Sequence, residues 1–104
     1  LYFANASFLE DEIYRNLGER EELRHIILMC TAVNEIDISA LEVLESINEN
    51  LMDHHIGFHL SAVKGPVMDC LDNTQFLAAL NGQVFLSQYQ AVQTLLLEET
   101  LLSL

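Results

Sequence analysis

Hydrophobic and polar positions along this chain follow two rhythms. Residues 26–30, Ile-Ile-Leu-Met-Cys, are a continuous apolar run. The run is too short for a helix and rich in isoleucine, as expected of a strand covered on both faces. A polar loop over residues 31–39 follows. Beyond it, apolar residues recur at Ala40, Leu44, Ile47 and Leu51, with Leu41 and Val43 beside them. That is the stripe of a helix with one face in a core. The other face is acidic and amide-rich: Glu42, Glu45, Asn48, Glu49 and Asn50. Ser39 and Glu42 have the S-x-x-E spacing of a capping box, which predicts a helix start at Ser39. The helix should close near His54-His55, with Gly57 as its terminator.

The same signals divide the rest of the chain. Residues 1–4 read as the end of a strand. Ser7 and Glu10 form a second S-x-x-E box, and the helix behind it carries Phe8, Leu9, Ile13 and Leu17 on one face, with Gly18 as its stop. Residues 19–24 are a charged connection to the strand at 25–30. Residues 58–63 form the next strand, broken by Gly65-Pro66. Pro66 suits the first position of a helix running to about Asp72, because its missing N–H has no partner to lose there. A short helix over 76–80 stops at Asn81-Gly82, and a brief strand covers 84–86. Ser87 and Gln90 make a third box, opening a last helix through Ala91, Val92, Leu95 and Leu96 and on to Leu102. Strands thus alternate with segments long enough for helical crossovers. The expectation is an α/β fold with a small, mostly parallel sheet and four to five helices, covering one face or both.

Composition narrows the function. At 104 residues the chain makes one domain, large enough to bury roughly two-thirds of its unfolded surface. Sixteen acidic residues against four Lys plus Arg leave a net charge of −12. Such a surface repels phosphate backbones and anionic headgroups, which argues against nucleic-acid binding and membrane adsorption. No apolar run reaches the roughly 20 residues a bilayer crossing needs. Cys30 and Cys70 match no zinc or redox spacing and read as buried free thiols.

Three stretches carry a resemblance. The turn Asp37-Ile38-Ser39-Ala40 looks like the signature loop of STAS domains, in which a strand ends in an Asp-Ser-x-Gly-like turn that opens a helix. Ser39 aligns, and Ala40 stands where glycine is usual. Leu1-Tyr2-Phe3-Ala4-Asn5-Ala6 resembles the start of the domain in the SulP anion-transporter branch. Ala62-Val63-Lys64-Gly65-Pro66-Val67 resembles a later strand-to-helix joint of the same branch. The resemblance implies a single STAS-like domain over residues 1–104 with its N-terminal strand truncated. It implies a non-catalytic regulatory and protein-interaction role, as the cytoplasmic tail of a SulP-type sulfate or anion transporter at the inner face of the plasma membrane. The partners it implies are the transporter's membrane domain and a cytosolic regulatory protein. The alternative is a free-standing anti-sigma-factor antagonist switched by phosphate on Ser39.

Candidate chemistry centres on the loop. Open parallel sheets present contacts at the carboxyl ends of their strands, where this loop lies. Asn34, Glu35, Asp37, Ile38, Ser39 and Ala40 form the candidate interaction or ligand loop. Ser39 is the phospho-acceptor equivalent, or simply a cap. A phosphate there would meet free N–H groups at a helix N-terminus, but also the Asp37 carboxylate. Glu35 and Asp37 are paired acids without a catalytic companion set, so no catalytic residue is assigned. His54, His55 and His59 read as solvated or loop histidines. Neighbours such as His54 and His55 lie about 100° apart on a helix, and no metal ligand or cofactor is assigned. Leu95, Leu96, Leu97, Leu101 and Leu102 exceed what one helix face requires. They read either as a frayed helix end or as a contact surface for the membrane domain or for a second copy in a homodimer.

Overall fold

A computed structural model describes residues 6–95 and 101–103. In chain order the elements are α1 (Ala6–Glu19), β1 (His25–Met29), α2 (Ile38–Asp53), β2 (Gly57–Ser61), α3 (Gly65–Asp72), α4 (Phe76–Ala79), β3 (Val84–Phe85), α5 (Gln88–Leu95) and β4 (Leu101–Ser103). The four strands form one sheet in the order β3-β2-β1-β4. Every pairing is parallel, as the crossover lengths require.

Alternation along β1 and β2 sorts the core into two parts. Ile26 pairs with Phe58 and Leu28 with Leu60. These four join Leu9 and Ile13 of α1, Leu44, Ile47 and Leu51 of α2, Val67 and Leu71 of α3 and Phe76 of α4 in the main core. Ile27 faces the other way and meets Phe85, Ala91 and Leu95. Four helices therefore cover one face and α5 the other. Burying each such side chain is worth about 1.5–3 kcal/mol, so the thicker layer holds most of the stability.

Several expected boundaries move. Gly18 lies inside α1, where Arg20 N–H still bonds Asn16 O at 2.9 Å and carries the turn past it. Ser7 is the second residue of α1 rather than the residue before it. Gly57 opens β2 and does not end α2. The left-handed residue after α2 is His55, at φ 59°. Its N–H reaches Met52 O at 3.0 Å and that of Ile56 reaches Leu51 O at 2.8 Å, the two bonds of a Schellman turn. Pro66 is the second residue of α3, behind Gly65. Asn48, expected on the polar face of α2, is 3% exposed. Its amide donates to Ala79 O and accepts from Asn81 N–H, both at 2.8 Å, and so fixes the segment leading to β3.

The last helix departs most. Among the described residues it covers Gln88–Leu95, and residues 101–103 are a strand. Glu98, Glu99 and Thr100 interrupt the apolar run, and the free edge of β1 offers backbone partners that a helix end lacks. The strand expected at residues 1–4 and the contacts expected of Leu96 and Leu97 lie outside the described residues.

Candidate functional site

All four strands point their carboxyl ends at one edge, and the loop over residues 30–37 rises from it. The loop is fastened at both ends. Cys30 N–H bonds Ser61 O at 2.9 Å, Val33 N–H bonds Cys30 O at 3.1 Å, and Val33 itself is buried. Lys64 Nζ donates to Asn34 Oδ1 at 2.7 Å, tying this loop to the one after β2. The Cys70 thiol lies 3.8 Å from Ile36 O.

The helix cap lies two residues earlier than the spacing suggested. Asp37, not Ser39, is the N-cap of α2. Its backbone is extended, at φ −90° and ψ 177°, and its Oδ1 accepts the Ala40 N–H at 2.8 Å. The Asp37 carbonyl accepts Leu41 N–H at 2.9 Å. A start at Ser39 would forfeit both bonds. A carboxylate also suits the positive end of the helix better than a hydroxyl does. Ser39 is therefore an exposed residue of the first turn, and the Ser39–Glu42 box does not form. Ala40 is 1% exposed and helical, so this position has no need of glycine. At Ser87 one half of the box forms, with Gln90 N–H bonded to Ser87 Oγ at 3.0 Å, while the Gln90 amide oxygen accepts the N–H of Leu86, one residue before the cap, at 2.8 Å.

Five of the six loop residues face outward: Asn34, Glu35, Asp37, Ile38 and Ser39. Ile38 is 76% exposed, one of several large apolar side chains at the surface with Leu86 at 89% and Phe8 at 67%. Glu42, Glu45 and Glu49 continue from it along the outside of α2. The loop and helix thus present an apolar knob ahead of an acidic stripe.

Two other readings change. His54 and His55 are exposed, but His59 is 4% exposed and not solvated. Its Nε2 lies 3.0 Å from His25 Nδ1, and its Nδ1 accepts the Gln83 N–H at 3.0 Å. Burial, followed by the nearby His25, pushes the His59 imidazole down to about 4. The cue was available: in parallel register His59 sits opposite Ile27, a position that must face inward if Ile27 does. Cys30 is buried as expected, and burial pushes its thiol up to about 11. Cys70 is exposed, because α3 buries Val67 and Leu71 and its neighbouring position points elsewhere. Among the described residues, no cluster of three or more His, Cys, Asp or Glu could hold a metal ion. No helix among them is long and apolar enough to cross a membrane.

Comparison with known proteins gives a consistent answer. A family model for the STAS domain matches residues 1–91. Sulfate transporter 3.1 of Arabidopsis thaliana is 33% identical over 104 residues, covering 89% of this chain and 16% of that protein. Probable sulfate transporter 3.4 of the same plant is 32% identical over 105 residues, with coverage of 91% and 16%. High affinity sulfate transporter 2 of Stylosanthes hamata is 29% identical over 105 residues, with coverage of 90% and 16%. This chain therefore spans 16% of the length of each of these relatives. The parallel sheet, the turn at Asp37 and a match over most of the length agree, and the chain belongs to the STAS domain family.

Proposed function

We propose that this chain is the regulatory contact domain of a SulP-type sulfate or anion transporter, non-catalytic and placed on the cytoplasmic side of the membrane. One observation supports the reading most: a loop pinned by Lys64–Asn34 and the Asp37 cap holds Ile38 in solvent at 76% exposure, ahead of the acidic face of α2. An apolar anchor with charge behind it suits a protein partner bearing a small pocket and a basic rim. The partner is the membrane domain of the transporter, with a cytosolic regulatory protein as a second one. Docking favours whichever transporter conformation presents that pocket, and so shifts the transport equilibrium. The test is sulfate uptake by the full-length transporter carrying Ile38→Glu, in a host lacking its own uptake. At equal protein abundance, uptake should change severalfold and cross-linking between this domain and the membrane domain should fall. Wild-type uptake together with unchanged cross-linking would refute the contact role.

A second reading rests on the exposed Ser39 hydroxyl in the first turn of α2, where phosphate would meet the positive helix end. Intact mass after incubation with a Ser/Thr kinase from the source cells decides it, since an unchanged mass removes the phosphoswitch.

A further inference from the structure

The sheet face beneath α5 carries one polar line, His25, His59 and Ser61, among apolar neighbours. Gln83 N–H can only donate, so His59 Nδ1 carries the lone pair it points to, 3.0 Å away. The ring proton of neutral His59 is then on Nε2 and is given to His25 Nδ1 at 3.0 Å. Two glycines make room for the pair. A Cβ on Gly57 would lie 2.7 Å from His59 Nε2, and one on Gly82 would lie 2.9 Å from His59 Nδ1 and 2.1 Å from Phe58 O. The His59 ring also packs against Phe85, with centroids 5.7 Å apart. A side chain of β2 thus supplies an acceptor that the sheet ladder does not, at the entrance to a two-residue edge strand. The arrangement is unsuited to a metal ion: freeing Nε2 as a ligand would place the ring proton on Nδ1, against the Gln83 N–H.

We propose that this pair is an acid-sensitive latch: a solvent proton competes with Gln83 N–H for the one lone pair of His59 Nδ1, and its binding releases β3 and α5 from the sheet. Among the described residues, β1, β2, β3 and α5 carry no acidic side chain that would compensate an imidazolium. On β1 the facing titratable group is His25, and β2 and β3 hold no other. Residues 81–83 are Asn-Gly-Gln, and β4 is Leu-Leu-Ser. Over residues 88–95 of α5 the titratable side chain is Tyr89, which is 75% exposed. The segment to be released is lightly held. Phe58 N–H to Asn81 O, Leu60 N–H to Gln83 O and Ala62 N–H to Phe85 O tie it to β2, and Ser61 Oγ donates to Gln88. The opposite helical layer holds the chain just ahead of this segment, where Asn48 Oδ1 of α2 accepts the Asn81 N–H at 2.8 Å.

The sign follows from linkage. The closed ring titrates near 4 and a released ring at its ordinary 6.5. The latch is therefore at full strength above about pH 6.5, and the opening constant rises about tenfold per pH unit as pH falls toward 4. Amide hydrogen exchange on the 104-residue chain, corrected for intrinsic rates, reads this directly between pH 7.5 and 4.5. Protection at Gln83, Phe85 and the α5 amides should fall by about two orders of magnitude, while that of Leu44, Ile47 and Leu51 holds. Loss of both sets together, or of neither, overturns the latch. In His59→Asn the side-chain oxygen takes the place of Nδ1 without titrating, so the pH dependence should vanish; its persistence overturns the proposal. Should that variant not fold, the wild-type ring serves, because its nitrogen shifts must titrate together with the α5 protection. A ring that titrates while α5 stays protected overturns it equally.

Discussion

Replacing Asp37 by Ala and, separately, Ser39 by Ala separates two accounts of how the loop is built. Asp37→Ala removes the 2.8 Å bond to Ala40 N–H and leaves that first-turn donor without its side-chain acceptor. Loss of such a cap costs about 1 kcal/mol, within a range of 0.5–2. The carboxylate also interacts with the helix dipole, worth about 0.3–1 kcal/mol at an exposed site and partly included in that figure. A destabilisation of about 1–1.5 kcal/mol is expected. Among the described residues, Ser39 Oγ makes no hydrogen bond, and Ala is the better helix former by about 0.5 kcal/mol. Ser39→Ala should therefore be neutral or slightly stabilising. The assay is urea unfolding followed by far-ultraviolet circular dichroism. With a slope of about 1–1.5 kcal/mol per molar for a chain of this size, Asp37→Ala lowers the midpoint by roughly 1 M at constant slope. Asp37→Asn, which keeps an acceptor oxygen, should recover most of the loss. A midpoint that drops for Ser39→Ala and stays put for Asp37→Ala would show that the helix begins at Ser39 and that the loop geometry described above is wrong.

Three further outcomes can be measured on the same chain. Asn48→Ala strips partners from Ala79 O and Asn81 N–H in a buried setting, and should cost about 2–3 kcal/mol in the same denaturation assay. His55→Gly relieves the left-handed backbone at φ 59° and should raise stability by about 0.5–1 kcal/mol, read as a higher thermal midpoint; no gain would mean that His55 is unstrained. Alkylation at pH 8 followed by peptide mass mapping should modify exposed Cys70 well before Cys30, whose thiol is buried and pushed up to about 11, whereas equal rates would place both thiols at the surface.

The sequence by itself determined the alternation of elements, the parallel sheet and the two inward-facing strands. The reason is that burial forces a periodic pattern wherever an element lies against a core. Ile26, Ile27 and Leu28 could not be anything but central, and Leu44, Ile47 and Leu51 could not face water. It also placed the candidate loop at the carboxyl edge, since a crossover connection leaves a parallel strand only from that end. Local chemistry was less decisive. Asp37 and Ser39 are both good caps two residues apart, and the choice fell to Asp37 only because the buried phase of Ala40 lets its side chain and carbonyl both bond the first turn.

Tertiary structure alone decided the rest. Asn48 and His59 look like solvated polar residues in a linear reading. They are buried because partners 24 to 34 positions away — Ala79, Asn81, Gln83 and the half-buried His25 — meet their polar atoms. Leu101 and Leu102 belong to a strand because an open edge of β1 happens to lie within reach. Periodicity reports which side of an element is dry. It carries no information about which distant group will satisfy a hydrogen bond there, because that depends on how the finished layers are brought together.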